Sequence, residues 1–226
     1  GLNHVNRKWS KETERSANMV LPVPGGAQGP GGVLVLAENW VIYQHMGHDE
    51  VRTPLPRRAD LPASRGTLLI AHATHVLESG FYVFVQSEYG DLYKITMEWE
   101  GTSVRELTVA YFDTVVPAAS ICITRNGDLF VAAEFGPHYY YNFVSVGKPG
   151  AGAETKSLRL DAAESPAPVL FAPHATPQHL QLISSLDSMA PLIELQCMDL
   201  VNAGEPQFYA LCGRGARSAL RVMRHG

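Results

Sequence analysis

Leu34-Val35-Leu36-Ala37-Glu38, Phe84-Val85-Gln86-Ser87-Glu88 and Phe130-Val131-Ala132-Ala133-Glu134 are three short apolar runs, each closed by a glutamate. The glutamates stand 50 and then 46 residues apart. The second and third runs continue as Glu88-Tyr89-Gly90 and Glu134-Phe135-Gly136. A repeat of roughly 40–50 residues made of short strands is the pattern of a β-propeller, one four-stranded blade per repeat. Blades pack face to face around a ring, so a chain of this kind serves as a scaffold or docking surface.

Working outward, the pattern fills in blade by blade. Before the first run lie a strand candidate over Leu2 to Trp9, a charged connector, and a strand over Met19 to Val23. The loop Gly25 to Gly32 follows. Gly32 to Glu38 and Trp40 to Gln44 predict a hairpin turned at Glu38-Asn39, with Val51 to Leu55 as the outer strand. The second unit reads as four strands: Thr67 to Ala73, Phe81 to Gln86, Asp91 to Trp99 and Val104 to Phe112. In the third, Asn126-Gly127 between apolar runs is a strong hairpin signal. Residues 147–165 are rich in Gly, Ala and Pro and predict an exposed loop insertion. The third unit resumes at His179 to Leu186, and a last partial unit spans Pro191 to Arg224. No segment keeps a helical period. The expected fold is all-β: a partial β-propeller of about four blades from a seven-bladed, WD40-like ring.

Composition narrows the function classes. Of 226 residues, 46% are apolar and 18% charged, an ordinary globular balance. The net charge of −4 argues against a chain whose main task is neutralising phosphates. No apolar run reaches the roughly 18–20 residues that span a bilayer, so no membrane partner is expected. Cys122, Cys197 and Cys212 are odd in number and form no C-x-x-C pair, and no N-x-S/T sequon is present. These features fit a reducing, intracellular setting. The first residues, Gly1-Leu2-Asn3-His4, carry no initiating Met and no signal pattern. They read as the interior of a longer polypeptide.

A search for chemistry finds little. His45-x-x-His48 and His72-x-x-His75 each set two imidazoles three residues apart, a spacing that faces opposite sides on a strand, although His45 and His48 sit on a turn and could converge. No further ligand completes a metal site. The loop Gly25 to Gly32 lacks the Gly-Lys-Ser/Thr ending of a phosphate loop and leads into a strand. Cys212-Gly213-Arg214-Gly215-Ala216-Arg217 lacks the third glycine of a dinucleotide fingerprint. No catalytic, cofactor-binding or metal residue is therefore assigned. Asp113, Asp187 and Asp199 stand near strand ends, where Asp bonds turn backbone. Tyr139-Tyr140-Tyr141 supplies aromatic mass for blade faces or an interface. Two basic clusters remain as a possible interaction surface. One is Arg57, Arg58 and Arg65; the other is Arg214 and Arg217, continued by Arg221 and Arg224. Solvated rim charges and docking to an acidic protein or RNA backbone are the competing readings.

An ordered set of longer motifs carries a family resemblance. It includes Val23-Pro24-Gly25-Gly26, Pro56-Arg57-Arg58, Gly90-Asp91-Leu92-Tyr93-Lys94-Ile95-Thr96, Tyr111-Phe112-Asp113-Thr114-Val115 and Glu134-Phe135-Gly136. It closes on Cys212 through Gly226. These resemble the splicing factor 3b subunit 3 family. That family also takes in the large subunits of the cleavage-and-polyadenylation specificity factor and of the damaged-DNA-binding protein. The resemblance implies a multi-propeller protein of which residues 1–226 form the later part of the first propeller. Residues from about 212 to 226 would approach the junction with the next. It further implies a nuclear, non-enzymatic scaffold of the U2 snRNP without cofactors, acting in branch-site recognition during mRNA splicing. The implied partners are the HEAT-repeat subunit and the small subunit of splicing factor 3b, other U2 snRNP proteins, and U2 snRNA or pre-mRNA in the same particle. A ubiquitin-ligase adaptor or a 3′-end-processing subunit are the alternatives; a propeller enzyme fits least. Two departures are the Gly/Ala-rich 147–165, where the family suggests an acidic loop, and the late proline in Val115-Val116-Pro117.

Overall fold

The computed structural model describes residues 9–157, 167–200, 202 and 204–224. The strand candidate at Leu2 to Trp9 therefore lies almost wholly outside the described residues, as do residues 158–165 of the expected insertion.

Three antiparallel four-strand units follow one another, and the first is complete. It comprises β1 (Met19–Pro22), β2 (Val33–Ala37), β3 (Trp40–Gln44) and β4 (Val51–Pro54), hydrogen-bonded in chain order. The connector holds the short β5 (Arg57–Arg58). The second unit is β6 (Leu69–Leu77), β7 (Gly80–Ser87), β8 (Asp91–Glu100) and β9 (Ser103–Thr114). The third has β10 (Ala118–Ile123), β11 (Asp128–Ala133) and β12 (His138–Phe143). Between β12 and its outer strand come β13 (Glu154–Lys156) and β14 (Leu170–Phe171); β15 (Leu180–Leu186) then completes the sheet. Chain order equals strand order within each sheet, which is the meander of a propeller blade. The chain is thus an all-β partial propeller.

The strand sequences explain the stacking. Phe81-Tyr82-Val83-Phe84-Val85 is apolar at every position because both faces of β7 are covered. Val83 and Val85 point into a core shared with Leu34, Leu36, Val41 and Tyr43 of the first blade. Phe84 points the other way, into a core shared with Ile121, Leu129, Val131 and Tyr141 of the third. Each buried aliphatic side chain contributes about 1.5–3 kcal/mol.

The repeated glutamates mark a backbone closure. The Glu38 N–H donates to Ser16 Oγ, Glu88 N–H to the Leu68 carbonyl and Glu134 N–H to the Pro117 carbonyl. Each bond ties the turn after the second strand to the start of that blade's first strand. Gly90 follows the second of these glutamates at φ +88°, and a Cβ there would meet the Val115 carbonyl oxygen.

The described part of the expected insertion, residues 147–157, includes a strand. β13 adds a fifth strand to the second blade, pairing Glu154 to Lys156 with Ala110 to Thr108 of β9. Thr155 is buried there, and its hydroxyl reaches the Pro54 and Val109 carbonyls. A polar stitch between second and third blades was equally hidden in an apolar strand. Gln86 is fully buried; its Nε2 donates to the Val116 carbonyl at 2.9 Å and its Oε1 accepts from the Ala118 N–H at 2.9 Å. Replacing Gln86 with Leu orphans both backbone groups and should cost about 2–3 kcal/mol. Amide hydrogen exchange at Ala118 in the full-length protein should accelerate accordingly; unchanged protection would refute the stitch.

The final unit is partial, as expected from its three strand candidates. β16 (Leu192–Met198), β17 (Gln207–Cys212) and β18 (Ala219–Met223) make a three-stranded sheet, with one 3-10 turn at Gly215–Arg217. Neighbouring residues Leu192 and Ile193 are both exposed, as are Phe208, Leu211, Leu220 and Val222. Apolar side chains thus stand bare on both of its faces, as they also do at Leu182, Ile183 and Leu186 on the outer strand of the third blade.

Candidate interaction surface

The two arginine clusters have different fates. Arg57 Nη2 donates to the carbonyls of Ala63 at 2.6 Å and Arg65 at 3.0 Å, so it folds its own connector. Arg58 pairs with Asp60 at 2.9 Å and reaches the fully buried Asp91 at 3.4 Å. Asp91 also accepts from Thr114 Oγ1 at 2.7 Å and Ser87 Oγ at 3.3 Å. Burial raises the Asp91 carboxyl above the usual range, more than Thr114, Arg58 and Ser87 lower it. Arg65 donates to the Tyr89 hydroxyl at 2.7 Å and stays exposed. The structure brings these three together around the connector, with Arg57 and Arg58 committed to internal partners.

Arg214 and Arg217 sit on the other side of the third blade, on the tight loop between β17 and β18. Gly213 starts that loop at φ +82°, where a Cβ would strike the Arg217 carbonyl. The Arg217 N–H closes back on the Arg214 carbonyl at 3.2 Å. The Arg214 guanidinium lies 5.8 Å from the centre of the Phe135 ring. Arg217 Nη1 lies beside Gly136, 3.6 Å from where a Cβ would stand. Arg221 points from β18 into the same groove, which holds about 180 Å³. Arg224 follows the end of β18 and is exposed. Arg217 belongs to the 3-10 turn, and Arg221 to β18. Phe135 was not singled out as a partner of these arginines, because their proximity depends on how the last sheet meets the third blade.

The remaining candidates have structural roles. His45 and His48 stack with ring centres 5.0 Å apart and planes within 5°. Parallel rings do not aim two nitrogens at one point. Tyr43 donates to the Gly31 carbonyl at 2.9 Å and pins the Gly25 to Gly32 loop; burial pushes its hydroxyl up to about 12. Among the aromatic run, Tyr141 is buried in the core between second and third blades, while Tyr140 donates to Asp128 at 2.6 Å. Asp113 is fully buried and accepts the backbone N–H groups of Gln178 and His179, each at 2.8 Å. Asp199 accepts the Gly204 N–H at 2.8 Å.

Comparison with known proteins connects this architecture to a lineage. The model of the RSE1/DDB1/CPSF1 first beta-propeller matches residues 1–187. The chain belongs to this family. Its three complete blades lie inside that match, and the β16–β18 sheet with Arg214 and Arg217 lies beyond it. Among relatives of this RSE1/DDB1/CPSF1 member, Spliceosome-associated protein 130 A of Arabidopsis thaliana is 45% identical over 226 residues. Splicing factor 3B subunit 3 of Drosophila melanogaster is 46% identical over 231 residues. Probable splicing factor 3B subunit 3 of Dictyostelium discoideum is 42% identical over 233. Each alignment covers 100% of this chain and 18% of the relative. The chain therefore spans under a fifth of their length.

Proposed function

We propose that this chain is part of a non-enzymatic scaffold subunit of splicing factor 3b, working in the nucleus within the U2 snRNP. The observation that carries the reading is identity of 42–46% along the whole chain to relatives named as splicing factor 3B subunit 3. The buried polar groups support a rigid binding platform: Gln86, Thr155 and Asp113 each bond to backbone, holding blade to blade. In this reading the blades hold the HEAT-repeat subunit and the small subunit of splicing factor 3b, and support branch-site recognition through protein contacts. Affinity in such interfaces concentrates in a few buried anchors.

Purification of the tagged full-length protein from nuclear extract tests the reading, with proteins and RNAs both identified. Recovery of a large HEAT-repeat protein together with U2 snRNA is the expected result. Recovery of a cullin, or of polyadenylation factors without U2 snRNA, would keep the family and overturn the splicing assignment.

A further inference from the structure

We propose that the groove between the Phe135 turn and the last sheet is a receptor for a short acidic peptide segment of a partner protein. Carboxylates would sit on Arg214, Arg217 and Arg221, and an apolar side chain would lie against Phe135. Among the described residues these three guanidiniums form no ion pair and donate no side-chain hydrogen bond. That contrasts with Arg58, whose charge is met by Asp60 and Asp91. Three uncompensated cations around one concavity repel each other and gain by taking up anions.

The groove is also held in place. The Gly136 N–H donates to the Ala190 carbonyl at 3.3 Å, and the Gly213 N–H to the Pro191 carbonyl at 3.0 Å. These bonds join the third blade's turn to the arginine loop, so the charges are presented on a fixed frame. Fixed donors lose less freedom on binding than mobile ones.

Size and lining choose peptide over nucleic acid. At about 180 Å³ the groove admits one or two side chains. That is below the roughly 300 Å³ at which sites for larger ligands begin. Its walls include Pro137, Pro191 and Ala219 beside Phe135, an apolar setting for a residue next to a carboxylate. The inference rests on the groove alone. It can fail while the splicing assignment stands, and the reverse.

The test is fluorescence anisotropy on the full-length protein with three probes: a labelled peptide alternating Glu with Phe, the same peptide with Ser for Glu, and oligouridylate RNA. The Glu peptide should bind and weaken as salt rises. Arg214→Glu with Arg217→Glu should weaken it by roughly tenfold or more, while Arg214→Lys with Arg217→Lys should retain most of the affinity. Should the double reversal lose hydrogen-exchange protection in β16–β18, Arg214→Gln with Arg217→Gln carries the comparison. Absent binding, equal binding of the Ser peptide, an unchanged affinity in the charge variants, or tighter binding of the RNA would each overturn the proposal.

Discussion

Arg58→Met should destabilise the junction of the first two blades by about 3–5 kcal/mol at neutral pH. Arg58 is only 17% exposed, and Asp91 beneath it is wholly buried. Met fills much of the same volume but leaves the Asp91 carboxylate with only the Thr114 and Ser87 hydroxyls. A buried charge stripped of its counter-ion is the costly half of a broken pair. The exposed Asp60 contributes little, since water screens a surface pair. The pH dependence has a definite sign. Burial raises the Asp91 carboxyl above its unfolded value. Its contribution to stability is therefore fully present below the unfolded pKa and lost as pH rises through the folded one. Removing Arg58 raises that folded value further. The gap between variant and wild type should thus widen as pH rises from the acid range and narrow as Asp91 protonates. Adding Asp91→Asn to Arg58→Met should restore at least half of the loss. Hydrogen exchange of residues 85–92 and 111–118 in the full-length protein reads all of these differences locally. A loss that is the same at both ends of the pH range, and untouched by Asp91→Asn, would refute the buried-charge account.

That network shows where sequence reading stops. The Leu34, Phe84 and Phe130 runs announced the blades because their apolar character and spacing are local and repeat. The family showed in the order of motifs such as Gly90-Asp91-Leu92-Tyr93. Arg57 and Arg58, by contrast, look the same in sequence as Arg214 and Arg217: paired cations beside loop residues. What separates them is whether a carboxylate or carbonyl meets them in the fold, from the connector for Arg57 and from both the connector and β8 for Arg58. Asp91 lies 33 positions from Arg58, and no local pattern encodes that meeting. Gln86 offered a weak signal, since a lone amide inside Phe-Tyr-Val-Phe-Val-Gln must find partners if the strand is buried. Asp113 offered a better one, a carboxylate at a strand end suited to backbone donors. β13 gave none: Glu154-Thr155-Lys156 has too few residues to show a period, and its pairing is set by the free edge of β9.

Asp113→Ala should release the outer strand of the third blade, at a local cost of about 3–5 kcal/mol. Asp113 is the second-last residue of β9 in the second blade, yet its partners all precede β15. Oδ1 accepts from the Gln178 N–H and from His174 Nδ1, both at 2.8 Å, and Oδ2 from the His179 N–H at 2.8 Å. Hydrogen bonds to a carboxylate contribute about 1.5–3 kcal/mol each, and alanine takes this partner from two backbone donors at once. The neighbouring contacts share the load: Phe112 stacks on His179 with ring centres 4.6 Å apart, and Leu180 enters the core between second and third blades. Asp113→Asn keeps one acceptor oxygen but turns an amide donor toward another donor, so it should fall between wild type and alanine. Exchange protection across residues 178–186 of the full-length protein is the direct readout. Unchanged protection in the alanine variant would show that side-chain stacking alone fixes the strand. A loss there should travel onward, because β15 runs straight into the segment whose Ala190 carbonyl accepts the Gly136 N–H. The arginine groove stands on that bond, so Asp113→Ala should also weaken acidic-peptide binding without touching any residue that lines the groove.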